Sequence, residues 1–261
     1  MRRLLIMLGL LACVAAHAYA ADSTPSTVDL ESVQTKAATG DAFAELTLGT
    51  LYLEGRGVKQ NLQAAAEWLL KSAEAGNADA QSGLGAMYAR GTGLPQDDSE
   101  ALKWYRKAAE QGNAQGENNL AFFYSKGRSI LQDYGEALKW YRRAAEQGLA
   151  PAQHNVGLYY LTGKGVAPDI SEALKWFRKA ADQGVPDAQG MLGALYLIGK
   201  GVTQNYAEAY FWFSVSSNSG NNAAATFRDQ AALHLTPQQT ADAQYRVQVW
   251  KPAPDPINYI P

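Results

Sequence analysis

The sequence predicts an all-α fold of stacked helical hairpins, and three observations carry that expectation. Trp68, Trp104, Trp140, Trp176 and Trp212 stand 36 residues apart, and a period of that length marks one supersecondary unit used again and again. Within a unit, Ala80, Leu84, Met87 and Tyr88 fall at i, i+4, i+7 and i+8, the spacing of one helical face. Gly76, Gly112, Gly148, Gly184 and Gly220 keep the same step, each where a helix has to stop.

The elements of one unit follow in order. Helix A carries the Ala80 to Tyr88 face and ends at Gly91-Thr92-Gly93, where two glycines can take the positive φ of a tight reversal. Asp97 stands three residues before Glu100, the spacing of a capping box. Helix B follows, with Ala101, Trp104, Tyr105 and Ala108 as its apolar stripe, and Gly112 closes it. An α-hairpin of about 36 residues cannot hide its apolar face alone, so neighbouring hairpins must stack.

The run Ala78-Asp79-Ala80-Gln81-x-x-Leu84-Gly85-x-x-Tyr88-x-x-Gly91-x-Gly93, then Asp97-x-x-Glu100-Ala101-x-x-Trp104-Tyr105-x-Lys107-Ala108-Ala109-x-x-Gly112, resembles the Sel-one-like repeat, a cousin of the tetratricopeptide repeat. Five units carry the resemblance, at 41–77, 78–113, 114–149, 150–185 and 186–221. It implies a right-handed superhelical α-α solenoid whose function the motif itself leaves open, because the motif consists of packing and turn residues. The third unit departs most, with Ala121 in place of the glycine at Gly85 and Ser129 in place of Gly93. If the second turn glycine needs positive φ, Ser129 costs about 1 kcal/mol or the loop is reshaped.

Both ends are expected to be capped. In the first unit Leu69 and Leu70 replace the Tyr105-Arg106 pair, so Asp29 to Ala38 is expected to cover that flank within a 21–40 segment. In the fifth unit Tyr210-Phe211-Trp212-Phe213 is apolar nearly all round and calls for burial on several sides. A helix around Ala223 to His234 and a second one capped at Thr236, with Pro237 in its first turn, supply that cover within 222–250. Pro252, Pro254, Pro256 and Pro261 then forbid a helix, so 251–261 is expected to be an extended and mobile tail.

The N-terminus joins Arg2 and Arg3 to an apolar run from Leu4 to Ala16 and then to Ala18-Tyr19-Ala20. This is the pattern of a cleavable secretory signal over 1–20, with cleavage after Ala20 and a periplasmic or secreted mature chain. A rival reading takes Leu10-Leu11-Ala12-Cys13 as a lipoprotein box with Cys13 acylated, which is the one route to a membrane anchor that the sequence offers. Cleavage after Ala20 leaves 21 of the 23 basic side chains against 25 acidic ones, and no cysteine. No disulfide is then possible, and the negative balance offers nucleic acid no general attraction.

No catalytic set stands out. Asp97 with Glu100, Asp133 with Glu136 and Asp169 with Glu172 pair carboxylates, yet capping predicts these pairs at the start of every helix B. Gly163-Lys164-Gly165 and Gly199-Lys200-Gly201 have the wrong spacing for a phosphate loop, and no Ser or Thr follows the lysine. His154 and His234 lie about two repeats apart, so neither a metal nor any other cofactor is expected. The basic triplets Lys103-Arg106-Lys107, Lys139-Arg142-Arg143 and Lys175-Arg178-Lys179 suit a solvated helix face, with Glu100 three residues before Lys103 and cations near the helix C-terminus. The alternative is an anion-binding stripe.

Positions that vary between units are the candidates for binding, since packing fixes the others. By the tetratricopeptide analogy helix A lines the concave side. Its inward positions are Ser82, Ala86, Ala89 and Arg90 in the second unit and Asn118, Phe122, Ser125 and Lys126 in the third. They are His154, Leu158, Leu161 and Thr162 in the fourth and Gly190, Ala194, Leu197 and Ile198 in the fifth. Phe122, Leu158, Leu161 and Leu197 would form an apolar floor flanked by Arg90, Lys126, Asn118 and His154, a groove for a protein or peptide segment. The expectation is a non-enzymatic exported scaffold. The resemblance implies adaptor or envelope roles, including immunity proteins that neutralise secreted toxic effectors. It also implies, as a different class, peptidoglycan or β-lactam binding or hydrolysis, but the relatives that do this carry a cysteine pair in each unit that the mature chain lacks.

Overall fold

The computed structural model describes residues 29–254. The expected signal with Cys13 and the last seven residues lie outside the described residues. Within them the chain is wholly helical. Helix α1 (Leu30–Ala38) precedes five hairpins: α2 (Ala42–Glu54) with α3 (Leu62–Glu74), α4 (Ala78–Arg90) with α5 (Asp98–Glu110), α6 (Ala114–Lys126) with α7 (Tyr134–Glu146), α8 (Ala150–Thr162) with α9 (Ile170–Asp182), and α10 (Pro186–Ile198) with α11 (Tyr206–Asn218). Helices α12 (Ala223–Ala232) and α13 (Pro237–Val249) follow. All ten hairpin helices have 13 residues.

Aspartate caps mark the starts of three of the B helices. Asp97 Oδ1 accepts from the N–H groups of Ser99 and Glu100, Asp133 from Glu136 and Asp169 from Glu172, satisfying amides that a helix start leaves unpaired. The reciprocal half of the expected capping box does not form in these hairpins. The cap N–H groups of Asp97, Asp133 and Asp169 donate instead to the carbonyls of Tyr88, Tyr124 and Tyr160 on the preceding helix A. The freed Glu100, Glu136 and Glu172 pair with Lys103, Lys139 and Lys175. The complete box is built at Thr236 and Gln239, where no such carbonyl competes.

At the hairpin turns Gly91 and Gly93 take φ of 70° and 71°. A Cβ at Gly93 would stand 2.2 Å from the carbonyl oxygen of Leu62, so both conformation and space require glycine there. The third unit keeps the same backbone with Ser129 at φ 52°, so the loop is strained rather than reshaped. Beside it Arg128 pairs with Asp98 and donates to the carbonyl of Ala89, and Ser99 Oγ donates to Ser129 Oγ.

The chain forms two compact units that part between Trp140 and Tyr141, inside α7. In the N-terminal unit, Leu69, Leu84, Met87 and Trp104 share one core with Leu46 and Leu53. Leu69 fills the place Tyr105 takes one repeat later: a Cβ on Gly49 would meet it at 2.9 Å, as one on Gly85 would meet Tyr105 at 2.8 Å. Helix α1 lies against the first repeat. It packs with Leu30 and Val33 on Ala44, Leu48 and Trp68, whereas Leu69 and Leu70 are covered by α4 of the following repeat.

In the C-terminal unit, Phe177, Leu192, Leu195, Phe211 and Trp212 form the core. All four residues of Tyr210-Phe211-Trp212-Phe213 are buried. Ala224, Ala231 and Ala243 close the end over Tyr210 and Phe213. The tail begins docked: Trp250 packs on the core, Pro252 lies against Gly184, and the Ala253 N–H donates to the Asp182 carbonyl at 2.7 Å. Glutamines tie successive repeats in each unit, with Gln81 donating to the Ala73 carbonyl and Gln153 and Gln189 to those of Ala145 and Ala181.

Candidate binding groove

The inward rows of the A helices differ between the two units. On α4 and α6, Ser82, Ala86, Asn118 and Ser125 are buried, while Arg90 and Lys126 stand in solvent. Phe122 is 39% exposed, with Lys126 Nζ 5.8 Å from its ring centroid, a weak cation–π contact. Asn118, expected to offer polar specificity at the surface, is 8% exposed; its Nδ2 lies 3.5 Å from Asn119 Oδ1. Arg90, Phe122 and Lys126 are exposed on these helices and give their face a cationic character.

On α8 and α10 the same rows bound a cavity of about 490 Å³, inside the roughly 300–1,000 Å³ range of sites that engulf a ligand or an inserted side chain. His154 and Leu158 come from α8, and Gly190, Ala194, Leu197 and Ile198 from α10. Three of the expected groove residues, His154, Leu158 and Leu197, therefore meet at one cavity. Leu161 does not line it and packs, partly buried, against the core of the unit. The cavity exists because the row shrinks along the chain: where α6 has Asn118 and Phe122, α10 has Gly190 and Ala194, and nothing fills the space.

Sequence reasoning did not identify the rest of the wall. Met191, Phe213, Ala223 and Phe227 complete the apolar lining, and Asp187 and Asn221 are its other polar residues. Phe227 stacks on Phe213 with ring centroids 5.5 Å apart and remains 45% exposed. Helix α12 thus acts as a side wall as well as a cap. Ile198 and Phe227 lie on α10 and α12 with α11 between them, so their meeting at the cavity depends on the angle at which α12 returns.

The acidity of His154 is displaced. Burial lowers its pKa below the ordinary histidine value, and the Asp187 carboxylate opposes the shift. Its ring lies 5.7 Å from that of Phe177, and its Nδ1 is buried without a hydrogen-bond partner among the described residues. The cavity therefore holds a neutral imidazole, which can donate one hydrogen bond and accept one. Among the described residues no cluster of three His, Cys, Asp or Glu could hold a metal ion, and no helix is long and apolar enough to cross a membrane.

The basic triplets are engaged with tryptophan rings. Lys107 Nζ lies 4.1 Å from the ring centroid of Trp104 and Lys179 Nζ 4.3 Å from that of Trp176, with Lys71 over Trp68 in the first repeat. Arg178 covers Trp212 and donates to the Tyr196 hydroxyl. These cations help cover large rings at the helix B surface.

Tandem α-hairpins with a fixed packing motif and a variable A-helix face define a helical-repeat scaffold. The chain belongs to the Sel1 repeat family, whose repeat matches at 42–77, 78–113, 114–149, 150–185 and 186–221. A Sel1 repeat protein from Oxalobacter formigenes is 30% identical, covers 85% of this chain and 97% of its own, and superposes with a TM-score of 0.70. A protective antigen of uropathogenic Escherichia coli with the same repeat fold is 31% identical; the match covers 89% of this chain and 58% of the antigen, with a TM-score of 0.58. A Sel1 repeat protein from Klebsiella pneumoniae, 24% identical over 78% of this chain and 99% of its own, shares the fold with a TM-score of 0.52. No curated protein matches the chain.

Proposed function

We propose that this chain is an exported, non-enzymatic scaffold that binds a protein segment on the face carrying its A helices, with the cavity of the C-terminal unit as the anchor point. The observation that carries the reading is the cavity itself. A helical repeat can fill its inward row at no cost, as α6 does with Phe122, yet between α8, α10 and α12 that row is left open and apolar over about 490 Å³. Exposed apolar surface of this kind marks a place where another molecule sits. Export rests on the Arg2-Arg3, apolar run and Ala18-Tyr19-Ala20 pattern, and the intact mass of the secreted chain tests it. A mass starting at Ala21 supports export with cleavage, and one starting at acylated Cys13 replaces it with a lipoprotein.

The binding reading is tested with the partner recovered from a native envelope extract and titrated by calorimetry. Leu158→Ala and Leu197→Ala are each expected to weaken binding by at least about 2 kcal/mol, as buried anchors do. Arg142→Ala with Arg143→Ala, on the exposed side of α7, is expected to change it by less than about 1 kcal/mol. The reverse pattern would move the site to the basic helix B surface.

A further inference from the structure

The cavity of the C-terminal unit has one charged group, and a repeat comparison shows that this group lacks the partner its counterpart has. Asp187 is the first-turn acid of α10, as Asp79 is of α4. In the second repeat Asp79 Oδ1 accepts a hydrogen bond from Asn113 Nδ2 at 2.7 Å, so that carboxylate is held within the scaffold. Asp187 and Asn221 are the same two residue types at the same separation, but their side chains do not meet. Asn221 Nδ2 lies beside Gly190, 3.2 Å from where a Cβ would stand, and both residues line the cavity. Asp187 is exposed and forms no hydrogen bond or ion pair among the described residues. Around it the lining is apolar apart from the Asn221 amide and the neutral imidazole of His154.

Resting on the groove reading above, we infer that this cavity accepts a large apolar side chain of a partner segment that carries a lysine or arginine next to it, the cation pairing with Asp187. An anion at that position would face Asp187 with no compensating cation in the lining, and such mismatches are what give an interface its selectivity. The chain's own segment 255–261 is a poor occupant by the same rule. It offers Ile257, Tyr259 and Ile260, but its one charged side chain is Asp255.

The test uses the full chain, labelled with nitrogen-15, and three blocked tetrapeptides, acetyl-Gly-Phe-Lys-Gly-amide and its Phe-Glu and Ala-Lys counterparts. The Phe-Lys peptide should shift the amides of Gly190, Ala194, Asn221 and Ala223 saturably. The Phe-Glu peptide should bind at least about fivefold more weakly, as an exposed attraction turned into a repulsion implies, and the Ala-Lys peptide should leave those amides unmoved. Asp187→Asn, at an exposed position, keeps the fold and should erase the Lys-over-Glu preference. Ala194→Phe, which copies Phe122 of the third repeat, should block both phenylalanine peptides; Gly190→Ser, which copies Ser82, is the milder filler should the first variant fail to fold. Equal affinity for the Lys and Glu peptides, or a preference that survives Asp187→Asn, overturns the inference. So does an unperturbed lining at saturating Phe-Lys peptide, or a free chain whose lining amides move when 255–261 is deleted. Each of these leaves the groove reading to the Leu158 and Leu197 titrations.

Discussion

The N-terminal and C-terminal units use one hairpin and present opposite inward faces. The face of α4 and α6 is cationic, with small or polar side chains buried beside the exposed Arg90, Phe122 and Lys126. The face of α8 and α10 is open, apolar and acidic, with Asp187 as its charge. The hairpin helices beneath are alike in length, although Asn77 and Asn113 cap α4 and α6 whereas α8 and α10 start with a proline in the first turn and no side-chain cap. The comparison teaches that in this chain the motif sets the scaffold and four positions per helix A set the chemistry. The cavity arises by subtraction, Gly190 and Ala194 standing where α6 has Asn118 and Phe122.

The largest expected effect is on stability. Phe213→Ala removes a buried ring that walls the cavity and packs against Gly193, and should cost about 3 to 5 kcal/mol in urea denaturation. Phe122→Ala on the other unit, at a partly solvated ring, should cost less than about 1 kcal/mol. Equal losses would break the contrast between a buried ring that walls a cavity and a ring that stands partly in solvent. Next, Ser129→Gly should stabilise the N-terminal unit by about 1 kcal/mol, since this serine holds the positive φ that Gly165 and Gly201 supply in the other unit; no gain would mean that the contacts of Arg128 and Ser99 offset the strain. Deletion of 252–261 should cost about 0.5 to 1.5 kcal/mol, one hydrogen bond and a ring contact, while deletion of 255–261 costs nothing measurable in a thermal melt.

The smallest effect is expected from acid, because Asp187 partly offsets the desolvation of His154. The folded pKa of His154 is lowered, so the unfolded chain takes up its proton first as pH falls through the ordinary value of about 6.5. The neutral ring's contribution is therefore complete above that pH and shrinks below it until the folded value is passed. His154→Phe should flatten the melting temperature across this window. An unchanged slope would mean that the ring titrates normally, contrary to a desolvated cavity wall.

Much of the fold was legible because its determinants are local and repeated. The tryptophan period, the Asp97-type caps and the Gly91 and Gly93 pair each act within a few residues of themselves. The capping-box expectation failed in the hairpins because the tyrosine carbonyl that captures the cap N–H belongs to the previous helix. Helix α1 lies on the first repeat at Ala44, Leu48 and Trp68, but the cue of Leu69 and Leu70 points elsewhere, since Leu69 is buried in the core that the first repeat shares with α4. At the site, the tetratricopeptide analogy selected His154, Leu158 and Leu197, but it also selected Asn118, which is buried, and Leu161, which packs against the core and does not line the cavity. Asp187 and Phe227 could not be found that way. Phe227 lies outside the repeats, and Asp187 matters through a hydrogen bond that its counterpart Asp79 makes and it does not.

The central claim is that a partner seats on the α8 and α10 face of the C-terminal unit. Amide hydrogen exchange of the full chain, free and saturated with the partner recovered from the envelope, tests this most directly. The account predicts slowed exchange concentrated in peptides from α8, α10 and the start of α12, lost in the Ala194→Phe variant. Slowing confined to the helix B surfaces of α5, α7 and α9, with α8 and α10 unchanged, would contradict it.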